Sequence, residues 1–252
     1  MSADETARST GPAEYAVSAE FYDLLQAEDD RRRAEGRFAE AARKARVGVI
    51  DAGAGTGIVT EVLVGAAATP VHAVEPSAAM RIALFARLAR LGADQRARIT
   101  VHPETFGACG LQEAADLAVA SNVVACLEPA ARRALWPVLL TALVPGGLLL
   151  FDPPPPEVPA MTESRPLPPV RLGPDLYRVR RTCTPDRGVI TVRFDYQVER
   201  DGRLLRGERE SFRMWPAAPG DIEGELTATG FEMVRAPRAD LVAARRPDRR
   251  PA

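Results

Sequence analysis

The stretch VGVIDAGAGTGIVT, residues 47–60, decides the fold of this chain. Its first residues are short, apolar and mostly β-branched up to Asp51, which predicts a parallel strand that is covered on both faces. The next turn carries glycines at alternate positions, Gly53, Gly55 and Gly57. Because glycine has no side chain, the backbone can turn sharply there and a flat ligand can approach it closely. We therefore expect a buried strand, a ligand-binding turn and a helix that starts at Ile58.

The spacing of the glycines indicates the kind of ligand. Dinucleotide-binding folds use G-x-G-x-x-G, whereas this chain has D-x-G-x-G-x-G, with the last glycine one residue earlier and an acid in front. The acid, Asp51, suits a cationic or amino-bearing ligand better than a pyrophosphate. This pattern disfavours a nicotinamide-dependent oxidoreductase.

The segment from Asp51 to Gly57 resembles the first motif of the class I S-adenosylmethionine-dependent methyltransferases. Glu75 ends the next apolar run, VHAVE, where an acid can accept hydrogen bonds from both ribose hydroxyls of a nucleoside. The sequence LVPGGLLL, residues 143–150, is also similar to the family. The alternative is an ordinary strand-to-helix turn with Glu75 exposed to solvent at a strand end.

The resemblance implies an α/β fold. Its core is a Rossmann-like seven-stranded, mostly parallel sheet in the order 3-2-1-4-5-7-6, with helices on both faces and a small antiparallel insert after strand 5. We expect a single domain over residues 1–252, with five segments: disordered residues 1–13, a helical cap over 15–45, a cofactor-binding core over 46–152, a loop and the insert over 153–216, and the last helix with strands 6 and 7 over 217–246.

A change of hydrophobic period marks the insert. Apolar and polar residues alternate from Ile190 to Glu199, which predicts a half-buried antiparallel strand, and Asp201-Gly202 predicts a hairpin turn. With residues 176–184 before it and 204–215 after it, the insert should have about three strands. The prolines between 153 and 169 should bound an irregular loop. We expect the insert to control the acceptor, to form a dimer surface, or both.

The amino-terminal segment predicts a helix that covers the site. Tyr15, Ala19, Tyr22 and Asp23 form the pattern Y-x-x-x-A-x-x-Y-D, which is similar to the start of small-molecule methyltransferases. In that family the helix covers the methionine end of the cofactor, so Tyr22 and then Tyr15 are candidates to contact the cofactor carboxylate or the acceptor. The alternative is that both tyrosines only pack the helix onto the domain.

The resemblance assigns the binding of S-adenosyl-L-methionine to residues of the amino-terminal helix, of the strand ends, and of the turns and helix that follow them, namely Tyr22, Asp51, Ala52, Gly53, Gly55, Gly57, Glu75, Pro76, Met80, Glu104, Thr105, Ser121 and Asn122. Glu104 and Thr105 stand where the family commonly has Gly-Asp at the adenine. The catalytic candidates are Tyr15, Tyr22 and Asn122. Many relatives carry histidine or aromatic residues soon after strand 4, but this chain has Ala125 and Cys126 and no obvious base.

The composition restricts the partners. The 252 residues carry a net charge of -1, which gives no general electrostatic reason to bind nucleic acid or a membrane. No apolar run reaches the roughly 20 residues that a membrane-spanning helix needs. The three cysteines are scattered and predict neither a disulfide framework nor a metal site. We expect a cytoplasmic protein without a metal and with a small-molecule acceptor, and a homodimer through the insert is possible.

Together these patterns predict an enzyme that transfers a methyl group from S-adenosylmethionine to a small molecule of specialised metabolism. Methyl transfer depends largely on alignment and a dry site, and a base is required only when the acceptor must lose a proton before it reacts. An amine acceptor fits best, and an activated hydroxyl is the second choice. The alternative is a protein that binds the same cofactor without transferring the methyl group.

Overall fold

The structure is a computed structural model that describes residues 15–248. The expected disorder of residues 1–13 lies outside the described residues. A seven-stranded sheet forms the core, with the strand order β3-β2-β1-β4-β5-β12-β11. Its strands are β1 (Val49–Ala52), β2 (Val71–Val74), β3 (Ile99–His102), β4 (Ala115–Ala120), β5 (Leu143–Phe151), β11 (Glu232–Met233) and β12 (Val242–Arg245). Since β11 and β12 are the sixth and seventh core strands along the chain, the predicted order is confirmed.

Six helices accompany the sheet within the described residues: α1 (Ala16–Lys44), α2 (Ile58–Ala66), α3 (Ala78–Leu88), α4 (Ala93–Arg96), α5 (Pro129–Ala142) and α6 (Pro219–Thr229). The long helix α1 packs with α2 on one face of the sheet, where Phe38 and Leu63 are fully buried. On the other face, α5 and α6 bury Trp136, Leu139 and Leu226. The core is therefore a three-layer arrangement of helices, sheet and helices.

The insert is a second, antiparallel sheet with strands β6 (Glu163–Pro166), β7 (Val170–Leu172), β8 (Asp175–Asp186), β9 (Val189–Arg200) and β10 (Arg203–Met214). The order is β10-β9-β8-β6, and β7 also pairs with β8. The inner face of the insert, which includes Val192, Phe194 and Tyr196, packs on the first half of α1, where the ring of Phe21 stacks on that of Tyr196 at 4.7 Å.

The expectation of about three strands in the insert was too low. The prolines between 153 and 169 predicted an irregular loop before the first strand of the insert. In the structure Pro166 ends β6, one of the two edge strands of this sheet. A proline is compatible with that position because an edge strand need not donate from every backbone nitrogen.

Candidate functional site

Strand β1 ends in a turn of glycines whose backbone is left-handed. Gly53, Gly55 and Gly57 have φ angles of 83°, 57° and 85°. A β-carbon on Gly53 would lie 2.4 Å from Val123, and one on Gly57 would lie 2.5 Å from Leu84, so close packing requires glycine at both positions. At Gly55 a β-carbon would meet nothing within 4 Å. Gly55 therefore faces open space, where a ligand can approach the backbone.

Glu75 joins this turn to the end of β2. Its carboxylate accepts hydrogen bonds from the backbone nitrogens of Gly55 at 2.8 Å and Ser77 at 2.7 Å. Desolvation raises the pKa of Glu75, while the hydrogen bonds from Ser77 and Gly55 and the charge of Arg81 act in the opposite direction. A carboxylate has about four acceptor positions, so two remain for hydroxyl groups of a ligand.

Asp51, at the end of β1, is 1% exposed. Its Oδ2 accepts a hydrogen bond of 2.6 Å from the Thr60 hydroxyl on α2. Its Oδ1 is buried without a partner among the described residues. Burial raises the pKa of this carboxyl to about 7, against the lowering effect of the Thr60 hydrogen bond. An unpaired, buried carboxylate oxygen is costly, which indicates a site that a donor group on a ligand would complete.

Thr56 gives a second sign that this turn is built for a ligand. Its hydroxyl is also buried without a hydrogen-bond partner in the part of the chain that the structure describes. The residues thus fit S-adenosylmethionine: Gly55 leaves space, Glu75 offers acceptors for ribose, and the free oxygens of Asp51 and Thr56 can complete the contacts to polar groups.

A guanidinium connects this turn to helix α1. Arg87 on α3 donates to the carbonyl oxygen of Thr56 at 3.0 Å, to Glu61 at 2.9 Å and to Asp23 on α1 at 2.6 Å. The side chain of Arg87 is 15% exposed. Since one rigid fork makes all three contacts, it fixes the position of α1 relative to the glycine turn.

Two further unpartnered atoms lie on α1, one of them on Asp23, the residue that Arg87 contacts. Asp23 Oδ1 and Gln26 Nε2 are buried and have no hydrogen-bond partner within residues 15–248. Asp23 and Gln26 are three residues apart on one helix and therefore neighbours on its surface. They supply an acceptor and a donor, the pair of groups that an ammonium and a carboxylate on one ligand require.

The two candidate tyrosines have different surroundings. The hydroxyl of Tyr22 donates to Asp30 on the same helix, and burial raises the pKa of Tyr22 well above its usual value. That hydrogen bond points the Tyr22 hydroxyl along α1. Tyr15 lies at the start of α1, and its ring centroid is 6.2 Å from that of Phe212 on the insert. Tyr15 is thus the tyrosine at the boundary between the helical cap and the insert.

The ends of β4 and β5 place polar groups next to each other. Asn122, with a left-handed φ of 58°, donates its backbone N–H to the Asp152 carboxylate at 2.9 Å and 3.0 Å. Desolvation raises the pKa of Asp152, although hydrogen bonds from Asn122 and the Ser121 side chain oppose that rise. Because the carboxyl ends of parallel strands meet at one edge, these groups lie on the same edge as the glycine turn.

The remaining predicted residues surround the same edge. Met80 is buried in the first turn of α3, and its backbone nitrogen donates to the hydroxyl of the capping residue Ser77, which follows Pro76. Glu104 and Thr105 are exposed after β3. His72 and His102 face each other, with ring nitrogens 3.1 Å apart, away from the strand ends of β4 and β5. Neither histidine stands near Asn122 in the sheet, because β1 and β2 separate β3 from β4.

The insert reaches the edge of the site. The backbone nitrogen of Trp215, just after β10, donates to the carbonyl of Ala125 at 2.7 Å, and that of Ala217 donates to Pro155 at 2.9 Å. Ala125 and Pro155 follow β4 and β5. The insert is therefore attached beside Asn122 and Asp152, as expected from its place after strand 5.

Five residues of the candidate site were not predicted from the sequence: Gln26, Thr56, Thr60, Arg87 and Asp152. Thr56 and Thr60 lie within or just after the glycine motif, so their place in the sequence was a usable signal. Asp152 ends a predicted strand, and that position was a weaker signal. Nothing in the sequence pairs Arg87 with Asp23, since that contact spans 64 positions along the chain.

The comparisons with known proteins agree with this geometry. Residues 50–149 match the family model described as a methyltransferase domain. This confirms the resemblance found in the glycine motif, and with it the expectation of an enzyme. No curated protein matches the chain.

Solved structures match over nearly the whole chain. CalS10 from Micromonospora echinaspora, an amino pentose methyltransferase solved with S-adenosylmethionine bound, is 19% identical and has a TM-score of 0.66 over 96% of this chain and 99% of its own. The sugar N-methyltransferase KedS8 from Streptoalloteichus is 19% identical, with a TM-score of 0.69 over 98% and 99%. The methyltransferase CcbJ from Streptomyces caelestis is 20% identical, with a TM-score of 0.72 over 94% and 100%. These likenesses show a shared fold.

Proposed function

Since this chain carries a methyltransferase domain, we propose that it transfers the methyl group of S-adenosylmethionine to an amine of a small molecule, with an amino sugar as the first acceptor class to test. The observation that carries the proposal is the turn of residues 51–57, which combines open space at Gly55 with unpartnered oxygens on Asp51 and Thr56. When bound, the cofactor would supply a sulfonium methyl carbon that an amine lone pair can attack. The new C–N bond replaces the C–S bond, so a neutral thioether leaves and the positive charge passes to the methylated nitrogen.

We assign the nucleoside half of the cofactor to the ends of β1, β2 and β3. Glu75 accepts from the ribose hydroxyls while it holds Gly55 and Ser77, and Met80 packs against the adenosine. Glu104 and Thr105 are assigned to the adenine edge. The exposed positions of Glu104 and Thr105 are compatible with that role, because an adenine at this edge would cover them.

The amino-acid half lies between the glycine turn and α1. The unpartnered oxygens of Asp51 and Asp23 accept from its ammonium group, and the amide of Gln26 donates to its carboxylate. This assignment moves the expected carboxylate contact from Tyr22 to Gln26, since the Tyr22 hydroxyl already donates to Asp30.

The acceptor enters between the insert and the ends of β4 and β5, where Tyr15, Asn122 and Asp152 are the polar residues. An amine attacks as the neutral base, so a protonated acceptor must first lose a proton. The Asp152 carboxylate, with its raised pKa, is the group beside Asn122 that can take that proton. The likeness to amino pentose and sugar N-methyltransferases, which spans the insert, supports an amino sugar as the acceptor.

A homodimer through the insert belongs to the same proposal. Strand β10 is an edge strand of 12 residues whose outer backbone groups have no neighbouring strand in the described chain. A long unprotected edge is a ready template for pairing with a second copy. We also propose that the cap, core and insert work as one domain, because α1, which forms the cap, contacts both the core and the insert.

The test is a transfer assay with isotopically labelled S-adenosylmethionine and matched pairs of sugars that differ only in an amino or a hydroxyl group at one carbon. The account predicts labelled product and S-adenosylhomocysteine with the amine alone. Transfer only to the hydroxyl partner would contradict an amine acceptor. Tight binding of S-adenosylhomocysteine without transfer to any acceptor would favour the alternative function, a protein that binds the cofactor without transferring the methyl group. The observation that supports this alternative is the absence of a histidine at positions 125 and 126, which are Ala125 and Cys126.

A further inference from the structure

The outer face of the insert carries a cavity of about 350 Å³ that faces away from α1. Pro166 and Leu167 form one wall of the cavity, and Gln197 also lines it. The charged lining residues are four arginines and one acid: Arg178, Arg180, Arg193, Arg209 and Asp195. Ligand pockets for small molecules are roughly 300–1,000 Å³, so the cavity is large enough for more than a simple inorganic ion.

Strand register explains why these side chains converge. Asp195 on β9 lies opposite Arg180 on β8 and opposite Arg209 on β10. Arg193 is two residues before Asp195 on the same strand and so shares its face. Three guanidinium groups from three adjacent strands therefore surround one carboxylate.

The carboxylate neutralises only part of this charge. Asp195 accepts from Arg209 at 2.7 Å and from Arg193 at 2.9 Å, which occupies one site on each oxygen. Arg178 is paired with Glu199 at 3.1 Å. The guanidinium of Arg180 makes no hydrogen bond or ion pair with any residue in 15–248, although the side chain lines the same cavity. The lining thus holds an excess of positive charge, with one unpaired guanidinium beside a rigid proline wall.

We infer that this cavity is a binding site for a phosphorylated small molecule, separate from the proposed methyl-transfer site. Guanidinium groups donate in a planar fork that matches the oxygens of phosphate. Because these groups are carried by three adjacent strands, they can donate from three directions, which suits a tetrahedral anion better than a flat one. Arg180 provides the unpaired donor, and Arg193 and Arg209 contribute the nitrogens that Asp195 leaves free. The near-neutral net charge of -1 argues that this is a local site and not part of a general polyanion surface.

The test is calorimetric titration of the full chain with inorganic pyrophosphate at physiological ionic strength. We expect one site per chain, at least tenfold weaker binding in Arg180→Ala, and unchanged affinity for S-adenosylhomocysteine in the same variant. The matched control is Arg213→Ala, since Arg213 is exposed on the same strand as Arg209 but does not line the cavity. Its pyrophosphate affinity should stay within twofold of the original.

Three results would overturn the inference. The first is no saturable binding of pyrophosphate, and the second is an adventitious ion only, which is shown if sulfate binds as tightly as pyrophosphate. The third is an equal loss of pyrophosphate affinity in Arg180→Ala and Arg213→Ala. Sedimentation supplies a fourth. If the chain is a dimer that Arg180→Ala dissociates, the face is an interface between copies and not a ligand site. Denaturant titration of both variants verifies that each is folded, and Arg180→Lys should retain part of the affinity because it keeps the charge but loses the fork.

Discussion

Nη2 of Arg87 lies 2.6 Å from Oδ2 of Asp23 and so joins the helix after β2 to the helix that covers the site. The same guanidinium holds the Thr56 carbonyl within the glycine turn. Arg87→Lys keeps the charge but cannot make all three contacts. We predict that the variant binds S-adenosylhomocysteine about 10- to 100-fold more weakly, as expected for the loss of roughly 1.5–3 kcal/mol of charged hydrogen bonding.

Calorimetry measures this loss, and Arg90→Lys is the control because Arg90 is exposed just after the same helix. An affinity in Arg87→Lys equal to that of the control would show that the position of α1 does not affect the cofactor site.

The proposed contact of Gln26 with the cofactor carboxylate can be separated from contacts to the nucleoside. Gln26→Leu removes the buried amide while preserving similar volume. Affinity for S-adenosylhomocysteine should fall about tenfold or more, because a neutral donor to a charged acceptor contributes roughly 1.5–3 kcal/mol. Affinity for 5′-methylthioadenosine, which lacks the amino-acid end, should not change. Equal losses for the two ligands would mean that Gln26 acts only through the fold.

The Asp51 carboxyl predicts a pH dependence of binding. Its pKa is raised to about 7 in the free protein, so at lower pH it is protonated and must lose that proton to accept from an ammonium group. Affinity for S-adenosylhomocysteine should therefore decline by up to tenfold per unit as the pH falls below about 7, and should level off above it. Asp51→Asn should flatten this part of the profile. An unchanged slope in Asp51→Asn would assign the titration to another group.

Breaking a buried ion pair on the opposite side of the sheet should lower the stability of the protein without weakening the binding of S-adenosylhomocysteine. Glu225 on α6 accepts from Arg132 at 2.9 Å and 2.8 Å and from the Trp136 indole at 2.9 Å. Arg132 is 3% exposed, so Glu225→Leu leaves a buried cation without its partner. Urea unfolding should show a loss of about 3–5 kcal/mol.

The affinity of the folded Glu225→Leu protein for S-adenosylhomocysteine should be unchanged. Glu223→Leu on the same helix is the control, since Glu223 is exposed. If the two variants lost the same stability, the pair with Arg132 would have no special role.

Local patterns predicted most of the core. The glycine motif at 53–57 gave the turn, because its left-handed backbone is compatible with few other residues, and the alternation at 190–199 gave β9. The short edge strand β6 was missed because proline is a poor local signal for strand. Contacts such as Arg87 with Asp23 depend on how distant helices pack, which no local pattern contains.

The same limit applies to the candidate site. The glycine motif identified Asp51 and the end of the next apolar run identified Glu75, but only the three-dimensional structure shows that Asp51 Oδ1 and Gln26 Nε2 are buried without partners among the described residues. It also shows that the Tyr22 hydroxyl, a candidate from the sequence, is engaged by Asp30.

The proposed role of the turn at Gly55 is to hold S-adenosylmethionine, and calorimetric titration with S-adenosylhomocysteine measures that role. Gly55 has a φ of 57° with empty space beside it, so Gly55→Asn can keep the backbone conformation, which asparagine tolerates, while its side chain fills that space. Gly110→Asn is the matched control, with a φ of 66° and equally open surroundings. Gly55→Asn should remain folded and lose at least 100-fold in affinity, while Gly110→Asn should bind normally. Normal binding by folded Gly55→Asn would contradict the proposed role.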